Sequence, residues 1–345
     1  MSRKVNKAID TLKGFQKESD ISHQELEEIL QGIAQTTGFL PEKNIFKSRY
    51  WGSERVGAAH YLGKYENKPA VLKIQGDKPA ISEAWMIKQF NEQNRSQLIR
   101  PPSIYTVKPW GTLGEYEAII MEHISGGKIL LSKQLQDSKT LETFFKLYQE
   151  YRKNCLPQNP WLDRPEKPNL HKIFDQLSEV SNTNYPDHPF RQENDKTLTS
   201  QALKLLTKIY DQADTEFVHG HFSAEDLAHQ GDEIVLFSNL FWKWKYPLYD
   251  AVFAYHWAIF ELASVPNITP GQVEEQRALW LNQILNLPQI NQQKNGQTLI
   301  KAALLERAIA GLVIDGLLMD KEKPISDYIH QSTRDQVRKL TNSLN

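Results

Sequence analysis

The chain of 345 residues carries 41 Lys and Arg against 42 Asp and Glu, a formal net charge of -1. This balance leaves no overall field that would select nucleic acid or an anionic membrane surface, so we expect neither as a partner. The single cysteine, Cys155, excludes an intramolecular disulfide and a thiolate zinc cluster. The apolar stretches Ala251–Phe260 and Leu304–Met319 are too short, or too interrupted by charge, to span a bilayer. We therefore expect a cytoplasmic protein, long enough for two lobes with separate cores.

The first forty residues predict a helical extension. Ser22 and Glu25 have the spacing of a capping box. The apolar residues that follow recur on one helical face, at Leu26, Ile29, Leu30 and Ile33. Gly38 and Pro41 then end the helix, so we assign residues 1–40 to an N-terminal helical extension.

Residues 41–124 predict a small lobe built on an antiparallel sheet. The segments that suggest strands are Arg49–Gly63, Ala70–Ile74 and Tyr116–Ile124. Between the last two, Pro79–Phe90 is typical of a helix. The lobe ends at Ser125-Gly126-Gly127, where two adjacent glycines favour a flexible joint.

Residues 125–345 predict a larger, mainly helical lobe. Two stripes of apolar residues at helical spacing support it, namely Leu141, Phe144, Phe145 and Tyr148, and Leu203, Leu206, Ile209 and Tyr210. Thr269-Pro270-Gly271-Gln272 is a capping box that opens a helix through Leu285. Pro157–Pro189, rich in proline and asparagine, suggests an irregular excursion. Phe217–Phe237 suggests a strand pair with Gly231 and Asp232 in its turn. The fold class is thus α+β.

Several short motifs carry the chemistry, and their order matters. Lys73 closes the run V-L-K-I, and Glu83 lies on the next helix, so the pair can orient an ammonium toward phosphate oxygens. The run M-E-H-I at 121–124 is extended, and the backbone of Glu122, His123 and Ile124 can pair with the edge of an adenine. Three further motifs follow downstream: H-G-H-F-S at 219–223, I-V-L-F-S at 234–238 and P-L-Y-D at 247–250.

This order resembles the aminoglycoside phosphotransferase and choline kinase-like family of the protein-kinase-like superfamily, from about residue 45 to about residue 260. The resemblance implies a two-lobed protein-kinase-like fold that binds ATP or GTP with Mg²⁺. It gives Lys73 and Glu83 the phosphate-binding role and represents the nucleotide-covering turn by Trp51–Gly57. It also implies that Asp250 braces the catalytic loop.

The catalytic positions depart from the family pattern H-G-D-x-x-x-x-N. His221 stands where the family has the aspartate that accepts the substrate proton. Asp226 stands where the family has a metal-binding asparagine, and Ser238 where it has a metal-binding aspartate. A positioned general base contributes roughly 10²–10⁴ in rate, and a metal ion contributes several kcal/mol of charge stabilisation. The residues that supply these two contributions in the family are replaced in this sequence.

Three functions are compatible with these residues. The favoured one is a degenerate phosphotransferase, a pseudokinase that binds a nucleotide or small ligand weakly or binds a protein partner. The alternative is an active small-molecule kinase that transfers phosphate from ATP or GTP to a hydroxylated acceptor, with His221 as the base. The third is hydrolysis at a metal held by His219, His221 and His229, whose spacing alone is a weak signal.

Overall fold

The computed structural model describes residues 22–48, 57–76, 81–131, 133–165, 169–292 and 295–345. The first 21 residues of the predicted extension and the predicted turn over 51–56 lie outside the described residues. The chain forms two compact units. The first comprises the described residues up to 92 together with 100–126 and 230–240, and the second comprises 93–99, 127–229 and 241–345.

The described elements up to residue 124 are two helices, each followed by three strands. In chain order they are α1 (His23–Thr37), β1 (Leu40–Ser48), β2 (Ala58–Tyr65), β3 (Lys68–Gln75), α2 (Glu83–Gln93), β4 (Ile99–Arg100), β5 (Ile104–Lys108) and β6 (Glu117–Glu122). The elements that follow are mainly helices. They are α3 (Ser138–Glu150), α4 (Leu170–Asn184), α5 (Asn194–Tyr210), β7 (Glu216–Val218), β8 (Leu227–Gln230), β9 (Glu233–Leu236), β10 (Lys243–Lys245), α6 (Tyr249–Glu261), α7 (Pro270–Leu285), α8 (Pro288–Gln292), α9 (Gly296–Val313) and α10 (Pro324–Leu344).

A five-stranded antiparallel sheet in the order β1-β2-β3-β6-β5 forms the first unit. Because side chains alternate across a strand, its two faces bury different residues. One face, which includes Leu72 and Ile120, packs with Leu26 and Ile33 of α1. The other face carries a smaller cluster in which Ala84 of α2 joins residues of β3, β5 and β6.

Helix α1 has the predicted ends. The hydroxyl of Ser22 accepts the N–H of Glu25 at 3.2 Å, and the carboxylate of Glu25 accepts the N–H of Ser22 at 2.7 Å. Gly38 ends the helix with φ 77, a left-handed conformation that favours glycine. The capping box and the buried stripe are confirmed, and this part of the extension contributes to the core of the first unit.

The second unit is mainly helical, as predicted. The stripes on α3 and α5 are buried, and α5 packs in one core with α9 and α10. The irregular excursion predicted over 157–189 is wrong for its second half, where α4 forms. Leu170 and Phe174, one helical turn apart, enter the same core, and Asn169 caps the first turn by accepting the N–H of Lys172 at 3.1 Å.

The H-G-H turn follows strand β7, which pairs antiparallel with β10. Gly231, at φ 62, and Asp232 separate β8 from β9, as predicted for a turn. Within the described residues, no helix is long and apolar enough to cross a membrane.

Candidate functional site

A buried carboxylate holds the H-G-H turn in place. The N–H of Gly220 donates to Oδ1 of Asp250 at 2.9 Å. The hydroxyl of Tyr151 donates to Oδ2 of Asp250 at 2.7 Å and accepts the N–H of His219 at 2.7 Å. Burial raises the pKa of Asp250 to about 6, although both donors favour the carboxylate form. Asp250 therefore braces this loop, as the resemblance implies.

The turn also requires glycine at its centre. Gly220 has φ 78, and a Cβ added there would lie 2.5 Å from the carbonyl oxygen of Phe241. His219 is fully buried, with its ring edge-on to Trp242 at 5.3 Å between centroids. His219 is thus a packed residue of the loop.

His221 and Asp226 form the central pair of the site. Nδ1 of His221 lies 3.0 Å from Oδ2 of Asp226, and the hydroxyl of Ser223 donates to the same oxygen at 2.5 Å. A short 3₁₀ turn over Ala224–Asp226 returns the carboxylate toward the imidazole. Burial raises the pKa of Asp226, but His221, His219 and Ser223 together outweigh burial and leave the pKa below its ordinary value. Asp226 is therefore a carboxylate with one oxygen already engaged twice.

Two aromatic rings fix the imidazole of His221. Phe241 stacks on it at 4.5 Å, and Phe253 lies 4.7 Å away. The side chain is 34% exposed. Because Nδ1 faces a carboxylate, Nδ1 carries the proton of the neutral ring and Nε2 is the acceptor.

His221 lines a cavity of about 230 Å³ in the second unit. Two indoles, Trp257 and Trp280, form part of its wall, and Glu225 and Glu261 add carboxylates. The remaining lining residues are mostly small, apolar or amide-bearing: Leu130, Leu131, Lys133, Gln134, Gln136, Ser223, Ala224, Ala254, Ala258, Leu262 and Gln276. A cavity of this size admits a small molecule, mixed apolar and polar in character.

One cavity wall is fixed by a reciprocal pair of hydrogen bonds. The amide of Gln276 accepts the N–H of Gln136 at 2.9 Å and donates to its carbonyl at 2.8 Å. Gln276 is only 4% exposed. Helix α7 therefore sets the position of the segment around Gln136.

The residues predicted to hold a metal are poor ligands for Mg²⁺. Magnesium sites use carboxylates with free oxygens together with substrate phosphates. Asp226 shares Oδ2 between His221 and Ser223. Ser238, in the first unit, offers a neutral hydroxyl and has φ 60, a left-handed conformation. These two side chains therefore do not fit the family's divalent cation.

The metal-histidine alternative requires three ligands that converge. Within the described residues, no group of three or more His, Cys, Asp or Glu is placed to hold a metal ion. His219 is packed in the loop, His221 is paired with Asp226, and His229 is exposed.

The predicted ion pair between Lys73 and Glu83 is confirmed. The register of the sheet pairs Lys73 with His60 on β2 and with Ile119 on β6. Burial, followed by the neighbouring Lys73, lowers the pKa of His60 to about 3, so this imidazole is neutral. Burial also raises the pKa of Glu117. The ammonium of Lys73 is thus held by Glu83 on a partly buried sheet face, a geometry that suits a phosphate ligand.

The M-E-H-I segment is largely engaged within its own unit. The carboxylate of Glu122 pairs with Arg100 and accepts the N–H of Ser103 at 2.6 Å. The N–H of Glu122 donates to the carbonyl of Ser103 at 2.9 Å, and that of His123 to Pro69 at 3.4 Å. Glu122 and His123 therefore have no backbone N–H left for a base edge. Adenine pairing at Glu122, His123 and Ile124 stays a prediction.

Tyr151, Trp257 and Trp280 were not predicted to belong to the site. Each lies on a helix or helical turn far from the H-G-H turn in sequence. An aromatic residue on a buried helical face more often belongs to the hydrophobic core than to a functional site. The local sequence therefore does not distinguish a core aromatic residue from one that lines a site. The five-residue π turn over Tyr151–Cys155, which ends α3, carries the Tyr151 hydroxyl that contacts Asp250.

No protein-family model and no curated protein matches the sequence. Solved structures do match. A microcompartment-associated aminopropanol kinase has a TM-score of 0.58 at 11% identity, covering 91% of this chain and 96% of its own. The choline kinase from Cryptosporidium parvum Iowa II has a TM-score of 0.55 at 14% identity, covering 92% and 96%. A thermostable aminoglycoside phosphotransferase mutant in ternary complex with ADP and hygromycin B has a TM-score of 0.53 at 10% identity, covering 91% and 97%.

These likenesses establish the fold. The chain has the α+β, two-lobed fold that the aminoglycoside phosphotransferases and choline kinases share with the protein-kinase-like superfamily, as its motif order predicts.

Proposed function

We propose that this protein, built on the kinase-like phosphotransferase fold, is a pseudokinase. It binds a small ligand in the cavity beside His221 and a nucleotide weakly at Lys73 and Glu83, without magnesium-dependent phosphoryl transfer. The observation that carries the proposal is the contact of both His221 and Ser223 with one oxygen of Asp226.

The chemistry of phosphoryl transfer explains why this contact matters. The reaction depends almost wholly on positioning and on stabilising the charge of the transferred group. Here the residue at the base position is paired with the residue at one metal position, and the other metal position holds Ser238. Because these residues act as one unit, their losses do not simply add. Each of these replacements nevertheless weakens the stabilisation of charge on the transferred phosphoryl group.

Nucleotide binding is expected to survive in weakened form. Lys73 remains paired with Glu83 and can still contact a phosphate, whereas Asp226 and Ser238 are poor ligands for the metal that would support a triphosphate. Affinity for ATP or GTP should therefore depend little on Mg²⁺.

Calorimetric titration of ATP and GTP, in magnesium and in EDTA, tests this expectation. We expect weak binding that changes less than about threefold between the two conditions, and that Lys73→Met removes. The matched control is Lys88→Met, an exposed lysine on α2. A tenfold or greater gain in affinity with magnesium would show that Asp226 still serves a metal.

A second candidate function is an active kinase of atypical mechanism. It is favoured by the orientation of His221, whose Nδ1 is held by Asp226 while the ring lines the cavity. A neutral imidazole whose Nε2 carries no proton can act as a general base. The acceptor would be a small hydroxylated molecule, such as the amino alcohols or aminoglycosides named for the similar structures.

The two candidates differ in the effect of one substitution. If His221 is a base, His221→Ala should lower kcat by about 10²-fold or more. If the protein is a pseudokinase, the same substitution leaves trace turnover unchanged. Choline, aminopropanol and hygromycin B are suitable acceptors for this comparison.

A further inference from the structure

Three cationic side chains gather around the ring of Tyr249 in the second unit. Nζ of Lys245 lies 4.3 Å, and Nζ of Lys243 5.8 Å, from the Tyr249 ring centre. The guanidinium of Arg307 lies 5.2 Å from the ring centre of Phe253, which is itself 5.9 Å from Tyr249. We call Lys243, Lys245 and Arg307 the Tyr249 cation cluster.

Strand geometry explains why two of these cations lie together. Lys243 and Lys245 are two residues apart on β10, so they point to the same face of the strand. Trp244 points to the other face, where its indole N–H donates to the carbonyl of Leu162 at 2.9 Å. The K-W-K sequence therefore directs both ammonium groups toward α6 and α9, which carry Tyr249 and Arg307.

In the described part of the chain, two of the three cations have a carboxylate within salt-bridge distance, and the third does not. Arg307 pairs with Asp315, and Lys245 lies 3.8 Å from Glu306. Among the described residues, Lys243 has no carboxylate within salt-bridge distance, and Nε of Arg307 is buried without an acceptor. An ammonium removed from water without a partner is costly.

Asp250 attracts Lys243 at longer range but is not within salt-bridge distance of it. Its two oxygens already accept the Gly220 N–H and the Tyr151 hydroxyl. Burial, followed by repulsion from Lys245 and Arg307, lowers the pKa of Lys243 to about 7. The positive charge of Lys243 is thus marginally stable in the ligand-free protein.

The cluster adjoins the candidate site through shared aromatic rings. Phe241 stacks on His221 and lies 5.9 Å from Nζ of Lys243, while Phe253 contacts both His221 and Arg307. The stem of Lys243 packs on the H-G-H turn, because a Cβ at Gly220 would lie 2.5 Å from its Cε. His221 and the three cations each keep a small part of their surface exposed, and the three cations lie beside the His221 cavity rather than in its lining.

We propose that the Tyr249 cation cluster binds an oxyanion group, a carboxylate or a phosphate ester, of a small ligand seated beside His221. A guanidinium and two ammonium groups are the donors that recognise such anions. A bound anion would supply the partner that Lys243 lacks. This inference does not depend on the proposed function, since an anionic ligand suits a pseudokinase and an active enzyme alike.

Titration calorimetry at pH 7.5 with inorganic phosphate and with acetate tests the inference. We expect saturable binding of at least one anion by the wild-type protein, and the stronger of the two identifies the group. Lys243→Met should weaken that binding at least tenfold, while Lys204→Met, at an exposed site on α5, leaves it unchanged. Equal binding by Lys243→Met and the wild type, or no binding by the wild type, would overturn the inference.

A second measurement needs no variant. The groups facing Lys243 are Lys245 on its own strand, Arg307 and Glu306 on α9, and Asp250 on α6. A bound anion raises the pKa of Lys243, so the complex should take up protons at pH 7.5. Titrations in two buffers of different ionisation enthalpy report this uptake. Binding without proton uptake would contradict the role of Lys243.

Discussion

At the scale of single residues, two carboxylates, Asp250 and Asp226, hold the backbone of Gly220 and the imidazole of His221. Asp250 and the pair Lys73–Glu83 were predicted because their order along the chain is that of a known family, and the order fixes their elements. The contact between His221 and Asp226 could not be predicted. It depends on the 3₁₀ turn over 224–226 and on which oxygen of Asp226 meets the ring.

The bracing role of Asp250 gives the first prediction. Asp250→Ala leaves the buried Gly220 N–H and Tyr151 hydroxyl without their acceptor, and each such loss costs about 1–3 kcal/mol. We expect the free energy of unfolding to fall by about 2–4 kcal/mol. Denaturant titration measures this, with the exposed Asp163→Ala as a control expected to stay within about 0.5 kcal/mol of the wild type. Equal stability of the two variants would show that Asp250 does not brace the turn.

A second prediction restores the family pattern. The triple variant His221→Asp, Asp226→Asn and Ser238→Asp re-creates the residues that the resemblance assigns to base and metal ligands. Ser238 has φ 60, and aspartate tolerates this conformation better than most residues. We expect magnesium-dependent hydrolysis or transfer from ATP or GTP to appear in the triple variant, measured by release of labelled phosphate. A folded triple variant without activity would mean that the site has lost more than these three residues.

At the scale of secondary-structure elements, helices with a capping box and a regular apolar stripe were predicted. Elements that depend on contacts with distant parts of the chain were missed. Helix α1 carries both a capping box and a regular stripe, so its limits follow from local chemistry. Helix α4 lies in a segment rich in proline and asparagine, where the spacing of Leu170 and Phe174 is a weak signal. Strand β10 has three residues, too few for a pattern to be recognised, and only its pairing with β7 makes it a strand.

The packing of α1 gives the third prediction. Leu26 is fully buried against the sheet of the first unit. Leu26→Ala should lower the free energy of unfolding by about 2–5 kcal/mol. Leu40→Ala, at a β1 side chain that is 60% exposed, is the matched control and should have little effect. Similar small effects in both variants on denaturant unfolding would mean that α1 is peripheral to the core.

At the scale of the whole molecule, the fold is predictable from motif order even at 10–14% identity to the similar structures. The ligand is not, because the cavity beside His221 and the Tyr249 cation cluster are assembled from helices far apart in the chain. The overall charge balance is equally uninformative, since a net charge of -1 does not reveal that Lys243, Lys245 and Arg307 lie close together in the fold.

Buried histidines predict acid sensitivity of the fold. Burial, the largest cause in each case, lowers the pKa of His60 to about 3 and those of His256 and His330 to about 4. In the unfolded chain each histidine has a pKa of about 6.5. The stability that the three neutral imidazoles give the fold is therefore complete above that pH and is lost as the pH falls toward about 4. Asp250 and Glu117, whose pKa values are raised, oppose this trend. The histidines lose stability from a pH of about 6.5 downward, whereas Asp250 opposes the loss only below a pH of about 6, so acidification from pH 7.5 to 5 leaves a net loss of stability.

Thermal unfolding between pH 7.5 and 5 measures this loss. His330→Leu removes one titrating group, and Nε2 of His330 has no hydrogen-bond partner among the described residues. The melting temperature of this variant should therefore fall less steeply with pH than that of the wild type. A steeper fall would contradict the assignment of His330 as a neutral buried imidazole.

The central claim is that this protein, in which His221 is paired with Asp226, does not catalyse magnesium-dependent phosphoryl transfer. Its most direct test is a turnover assay with γ-labelled ATP and GTP, magnesium and the acceptors choline, aminopropanol and hygromycin B. The account predicts no transfer or hydrolysis above background by the wild-type protein, with His221→Ala indistinguishable from it. Magnesium-dependent turnover by the wild type that His221→Ala abolishes would contradict the account and identify His221 as a working base.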